Sequence, residues 1–191
     1  MARTQTPAVA DTADDRLARL EARLQHFEDA QAIRACVTRY MALCDTLAAA
    51  TPLDELLDCF TPDATWAGKG RRYGATFGGY QGREAIGEMF RRYMGTPAHF
   101  SLNVHFLCNE RIVPVGDGRA DAEWVMLQTS SFSEGGSHLN AAWLALGMAR
   151  CDDGRWRIAR FETESLFGRP VSHWQSDLPL PVPAAPSPAA A

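Results

Sequence analysis

Leu17, Leu20, Leu24 and Phe27 fall at i, i+3, i+7 and i+10 in "DDRLARLEARLQHF", the spacing of a single apolar seam along a helix. Such a seam docks either on its own domain or on another subunit. A second helix is predicted from about Ala30 to Leu47, where Ile33, Val37, Tyr40, Cys44 and Leu47 recur on one face. Thr51, followed by Pro52 and an acidic pair, predicts an N-cap for the short helix "PLDELLDCF".

The period then changes. "ATWAG" and "ATFGGYQG" read as strands flanking a loop "GKGRRY", and "GREAIGEMFRRYM" as a third amphipathic helix. From His99 onward come the longer strands "FSLNVHFLCNERIVPV", "RADAEWVMLQTSSF", "HLNAAWLALGMAR" and "RWRIARFETESLF". The segments between them, "GDG", "SEGG" and "CDDG", hold the Gly and Asp that tight hairpins need. Helices first and an antiparallel meander afterwards predict an α+β domain. Polar residues 1–11 and the Pro/Ala tract over 176–191 read as mobile tails, leaving a helical extension over 12–27 and one domain over 28–175.

Composition narrows the function. A chain of 191 residues, 46% hydrophobic and 22% charged, suits one soluble domain with a sizeable core. The net charge of −4 comes from intermixed acids and bases without a basic stripe, so nucleic acid is not an expected partner. Five cysteines, an odd number without C-x-x-C spacing, predict reduced, buried thiols and a cytoplasmic location. No signal-peptide pattern and no apolar run of about 18 residues is present, so neither secretion nor a membrane is expected.

His26, His99, His105, His138 and His173 show no metal-ligand spacing, and no metal or cofactor is expected. "GKGRRYG" at 68–74 lacks the strand-to-helix context of a phosphate-binding loop and reads as a hairpin loop or lid. Nucleophile motifs are absent too. What remains is acid–base chemistry. Asp45 falls in the last turns of the second helix, where the carbonyl end of the macrodipole disfavours a carboxylate by a few tenths of a kcal/mol or more. An imidazole is a natural partner, since a carboxylate fixes its tautomer and stabilises its cation. On the first long strand Asn103, His105, Leu107 and Asn109 share one face, more polar than the face of Leu102, Val104, Phe106 and Cys108. From the residues alone, Asp45 as an ordinary capping residue and His105 as a structural one stay open.

The stretches "EDAQAIRACVTRYMALCDTL", "LDCFTPDATWAG", "GGYQGREAIGEMF", "NVHFLCNERI" and "DGRWRIARFETES" occur in this order over roughly 28–167. In this the chain resembles the SnoaL-like branch of the nuclear transport factor 2-like superfamily. The resemblance implies N-terminal helices packed on a curved mixed or antiparallel sheet, forming a cone with an internal pocket. Scytalone dehydratase, bile acid 7α-dehydratase and hexachlorocyclohexane dehydrochlorinase, members of that superfamily, eliminate without a cofactor through an Asp–His dyad. The dyad positions match Asp45 and His105, and the bile acid enzyme's tyrosine matches Tyr40. Two positions depart from scytalone dehydratase: Cys44 stands for a tyrosine, and Gln128 lies near the place of a second histidine.

The resemblance therefore implies a cofactor-independent lyase of the dehydratase type, with His105 as base, Asp45 orienting it, and Tyr40 or a bound water as acid. Trp66, Tyr73, Tyr80, Asn103, Trp124, Met126 and Gln128 are the expected substrate contacts, suiting a mostly apolar aromatic or polycyclic molecule. Glu123 lies on the face opposite Trp124, and which face lines the pocket stays open. Fold does not imply function. A C–C lyase releasing formaldehyde or another aldehyde, an isomerase, and a non-catalytic binding module or small subunit of a ring-hydroxylating dioxygenase remain as alternatives. A homodimer or homotrimer is expected, through the sheet or the helical extension.

Overall fold

In the computed structural model, which describes residues 12–172, the two predicted N-terminal helices are one. Helix α1 runs unbroken over Ala13–Asp45, a stretch with neither Gly nor Pro to end it. Thr12 and Asp15 close its N-terminus as a capping box, the Thr12 hydroxyl accepting from Asp15 N and the Asp15 carboxylate from Thr12 N. The expected division at residue 27 is thus a change of burial along one helix. Residues 12–28 are all exposed, whereas Ala30, Ile33, Val37, Tyr40, Met41 and Cys44 are buried. The predicted tails at 1–11 and 176–191 lie outside the described residues.

Helix α2, Leu53–Leu57, follows, but Thr51 does not cap it. Its hydroxyl turns back toward α1, accepting from Ala48 N at 2.8 Å and donating to Thr46 O at 2.6 Å. Next come β1 (Phe60–Lys69), α3 (Gly70–Phe77), β2 (Gly79–Gln81) and α4 (Gly82–Arg91). The expected loop at "GKGRRY" is therefore largely helix, and the expected strand "ATFGGYQG" shrinks to three residues. Tyr73 and Phe77, i and i+4, give α3 an apolar side, with their rings 4.9 Å apart. Gly70 (φ +64°) and Gly78 (φ +67°) make the left-handed turns into and out of it.

Strands β3 (Phe100–Gly116), β4 (Arg119–Phe132), β5 (Ser137–Arg150) and β6 (Trp156–Val171) form the expected antiparallel meander. The six-stranded sheet has the order β2-β1-β6-β5-β4-β3 and is mixed, because β1 lies parallel to β6. It is open at β2 and β3. In β3, Asn109 (φ +52°) and Glu110 together face Trp124 alone, a bulge that bends the strand and reverses its alternation. Asn109 is consequently exposed and leaves the His105 face to which strict alternation assigned it.

The helices cover the inner face of the sheet, and Ile33, Val37, Leu56, Phe60, Ile86, Leu144, Leu146, Met148 and Ile158 are fully buried between the layers. Gly87 of α4 admits Leu57, whose Cδ1 would lie 3.0 Å from an added Cβ. The outer face leaves Leu102, Phe106, Trp143, Leu166 and Phe167 exposed, so the polar side of β3 is the inward one. Cys44 and Cys59 are buried, but Cys108 is exposed, against the expectation for the thiols as a group. No described helix is long and apolar enough to cross a membrane.

Candidate active site

Asp45 is the last residue of α1, whose final turn carries no basic residue. Its carboxylate is compensated from β3 instead. Oδ1 accepts from the backbone N–H of His105 at 3.0 Å and from ring Nδ1 at 2.6 Å. Two positions earlier Asn103 Nδ2 donates to the Cys44 carbonyl at 3.1 Å, pairing one of the orphan acceptors at the helix end. Register explains the rest: His105 pairs with Gln128 and Asn103 with Ser130 across β3 and β4. Asn103 Oδ1 accepts from both Gln128 Nε2 (2.8 Å) and Ser130 Oγ (2.7 Å).

An ionised carboxylate only accepts, so Nδ1 of His105 carries the hydrogen and Nε2 of the neutral ring holds the lone pair. The 2.6 Å contact is short, as in a charge-assisted bond. The His105 side chain is 9% exposed and that of Asp45 25%. His105 lines a cavity of about 150 Å³ between the helices and the sheet.

Each element contributes to the wall. From α1 come Tyr40, Met41 and Cys44, and Leu47 follows; β1 gives Trp66, α3 gives Tyr73 and Phe77, α4 gives Met89 and Phe90, with Tyr93 beyond it. The sheet adds Phe100, Asn103, His105, Met126, Gln128, Leu144, Phe161 and Thr163. Among the described lining residues there is no Lys, Arg, Asp or Glu. Trp66 stacks on Phe161, 5.6 Å between centroids and 9° between planes, and donates its Nε1–H to Tyr40 Oη at 3.2 Å. Burial pushes the Tyr40 hydroxyl well above its ordinary pKa, so it stays protonated. Burial likewise raises Tyr73. The Thr163 hydroxyl, 5% exposed, has no hydrogen-bond partner among the described residues.

The structure thus brings Asp45 and His105 together and puts Tyr40, Trp66, Tyr73, Asn103, Met126 and Gln128 on the cavity. Two expected contacts fall elsewhere. Tyr80 lies behind Trp66, 6.2 Å away, beneath the guanidinium of Arg92. Trp124 is on the inner face but further along β4, at a separate cleft with Arg34, Thr38 and Glu110, opposite the β3 bulge. Glu123 points the other way and pairs with Arg111 at 3.2 Å. Sequence reasoning missed Phe77, Phe90, Tyr93, Phe161 and Thr163. For Phe77 the i+4 spacing from Tyr73 was the signal; for Thr163 only its alternation with Phe161 was. Among the described residues no cluster of three or more His, Cys, Asp or Glu is placed to hold a metal ion.

Residues 25–162 match the model of the SnoaL-like domain. Among solved structures, the chain is similar to a candidate scytalone dehydratase from Novosphingobium aromaticivorans (TM-score 0.63, 19% identity, 75% of this chain and 88% of that one). It is similar to hexachlorocyclohexane dehydrochlorinase of type 3 from Novosphingobium barchaimii (TM-score 0.58, 20% identity, 75% and 93%). A protein from N. aromaticivorans with a cystatin-like, nuclear transport factor 2-like fold superposes with a TM-score of 0.58 at 25% identity over 82% and 91%. No protein of curated function matches the chain in sequence.

Proposed function

The chain belongs to the SnoaL-like family, and we propose on that premise that it is a cofactor-independent lyase of the dehydratase type. The observation that carries the reading is the 2.6 Å contact between Asp45 and His105 on the wall of an apolar cavity. Asp45 holds the Nδ1 hydrogen and stabilises the imidazolium as it forms. Nε2 takes a proton from an activated C–H, the C–H pair forms the C=C bond, and the hydroxyl on the neighbouring carbon leaves as water with a proton supplied by Tyr40 or a bound water. A positioned base of this kind contributes about 10²–10⁴-fold.

The cavity restricts the substrate. A cavity of about 150 Å³ takes one benzene-sized ring, which favours the single-ring over the polycyclic end of the expected range. Among the described lining residues none carries a fixed charge, which favours a neutral molecule, since an unpaired ion beside them would lose its hydration uncompensated. Thr163 Oγ1 and the Gln128 amide are the groups to receive the substrate's oxygens. Two structural neighbours named for eliminations, a dehydratase and a dehydrochlorinase, fit this class.

Chelator-treated protein incubated with neutral, hydroxylated single-ring compounds is predicted to give products lighter by one water. Aldehyde release would instead assign a C–C lyase using the same base, and an unchanged product mass an isomerase. Absence of turnover until a larger metal-containing chain is added would assign a subunit role.

A further inference from the structure

The first half of α1 stands off the body of the domain. Its root is Asp29, which accepts from Trp156 Nε1 at 3.0 Å and pairs with Arg150, and every residue from 12 to 28 is exposed. Leu17, Leu20, Leu24 and Phe27 are each 55 to 62% exposed, so the predicted seam does not dock on its own domain. A helix of that length holding an unburied apolar stripe is marginal by itself in water.

The 3-4-3 spacing is that of heptad positions a and d, with Leu17 and Leu24 at a and Leu20 and Phe27 at d. The flanking positions then separate by charge. Asp14, Glu21 and Glu28 occupy e, and Arg16 and Arg23 occupy g. We propose that this segment pairs, parallel and in register, with the same segment of a second copy of the chain. In a parallel pair each g position faces the partner's following e position, which sets Arg16 against the partner's Glu21 and Arg23 against the partner's Glu28. An antiparallel pair would set g against g and e against e, opposing like charges. The next a and d positions are Gln31 and Arg34, and Arg34 is engaged with Glu110 of its own domain at 2.6 Å. The seam therefore ends where the helix joins the body, and the short contact makes association concentration-dependent.

The proposal is independent of the Asp45–His105 chemistry and is tested by disulfide trapping in full-length protein carrying Cys108→Ser. Leu17→Cys is predicted to give a disulfide-linked dimer under mild oxidation, because equal a positions meet across a parallel pair. Antiparallel pairing would put residue 17 near the partner's residue 27, with the two residue-17 thiols about 15 Å apart along the axis. Crosslinking only in a mixture of Leu17→Cys with Phe27→Cys would therefore overturn the proposal. So would a Leu17→Cys chain that stays at the background of Cys108→Ser alone, as expected if a different partner covers the seam. The charges are tested in the same background. Arg16→Glu/Arg23→Glu and Glu21→Lys/Glu28→Lys chains are each predicted to lose the linked dimer alone and to recover it as a heterodimer when mixed. Crosslinking of each alone at the parent level would contradict the charge register.

Discussion

Asp45 occupies a position where a carboxylate is disfavoured, and it is tolerated because one residue of β3 gives its Oδ1 both a backbone and a ring N–H. The same physical reasoning bears on two other polar groups of the cavity. Thr163 holds an unpaired buried hydroxyl, which costs about 1–3 kcal/mol of desolvation. Thr163→Val is predicted to raise Tm while raising KM, with kcat little changed; a lower Tm with unchanged KM would remove the hydroxyl from substrate binding. Tyr40→Phe removes the acceptor of Trp66 Nε1–H and is predicted to destabilise by about 1–3 kcal/mol. Turnover falls as well if Tyr40 is the acid, and a kcat equal to that of the parent assigns the proton to bound water. At this scale the sequence showed the misfit of Asp45 and the polar face of His105. It did not show that they meet, since the contact joins positions 60 apart in the chain, and the family resemblance supplied that pairing. Thr163 was not legible because whether a strand hydroxyl finds a partner is decided by neighbours on other strands.

Helix α3 carries two cavity residues, Tyr73 and Phe77, on a segment held at its entry by a glycine with φ +64°. A side chain at Gly70 would be strained by that backbone, and its Cβ would run into the Glu164 carboxylate. Gly70→Ala is therefore predicted to cost more than about 1 kcal/mol and to weaken substrate binding by displacing Tyr73, read as a lower Tm together with a higher KM. An unchanged KM would show that α3 does not shape the site. The helix was not legible because it is short and its glycines carry the signature of a turn. Long elements read better: α1 and β3 to β6 follow their periods closely, failing mainly at the Asn109 bulge, where one extra residue reverses the alternation.

For the whole molecule, the order of helices and meander was legible, whereas the parallel pairing of β1 with β6 was not, since nothing local marks a partner about 95 residues away. That junction carries a charge network: Arg157 contacts Asp58, at the α2–β1 junction, at 3.0 Å and Asp153, in the β5–β6 turn, at 2.7 Å. Hydrogen bonds from Arg157 hold Asp153 down to about 2. A depressed carboxylate pKa gives stability that is present above the unfolded value near 3.8 and is lost as pH falls toward about 2. Tyr40 has the opposite sense: its raised pKa stabilises below the unfolded value near 10, and that contribution is lost as pH rises beyond it. Glu162, lowered from 4.5 beside Lys69 and Arg160, and buried Cys44, raised from 9, act in the same two senses, so denaturation midpoints should fall below about pH 4.5 and above about pH 9. Arg157→Ala is predicted to flatten the acid limb alone, and an unaltered acid limb would contradict the assignment.

The proposed chemistry depends on His105 as the base that Asp45 orients. The most direct test is the single-turnover rate of His105→Ala against the parent, with circular dichroism confirming the same fold. The predicted result is a loss of about 10²–10⁴-fold with substrate binding largely retained. Full-rate turnover by the folded His105→Ala protein would contradict the account.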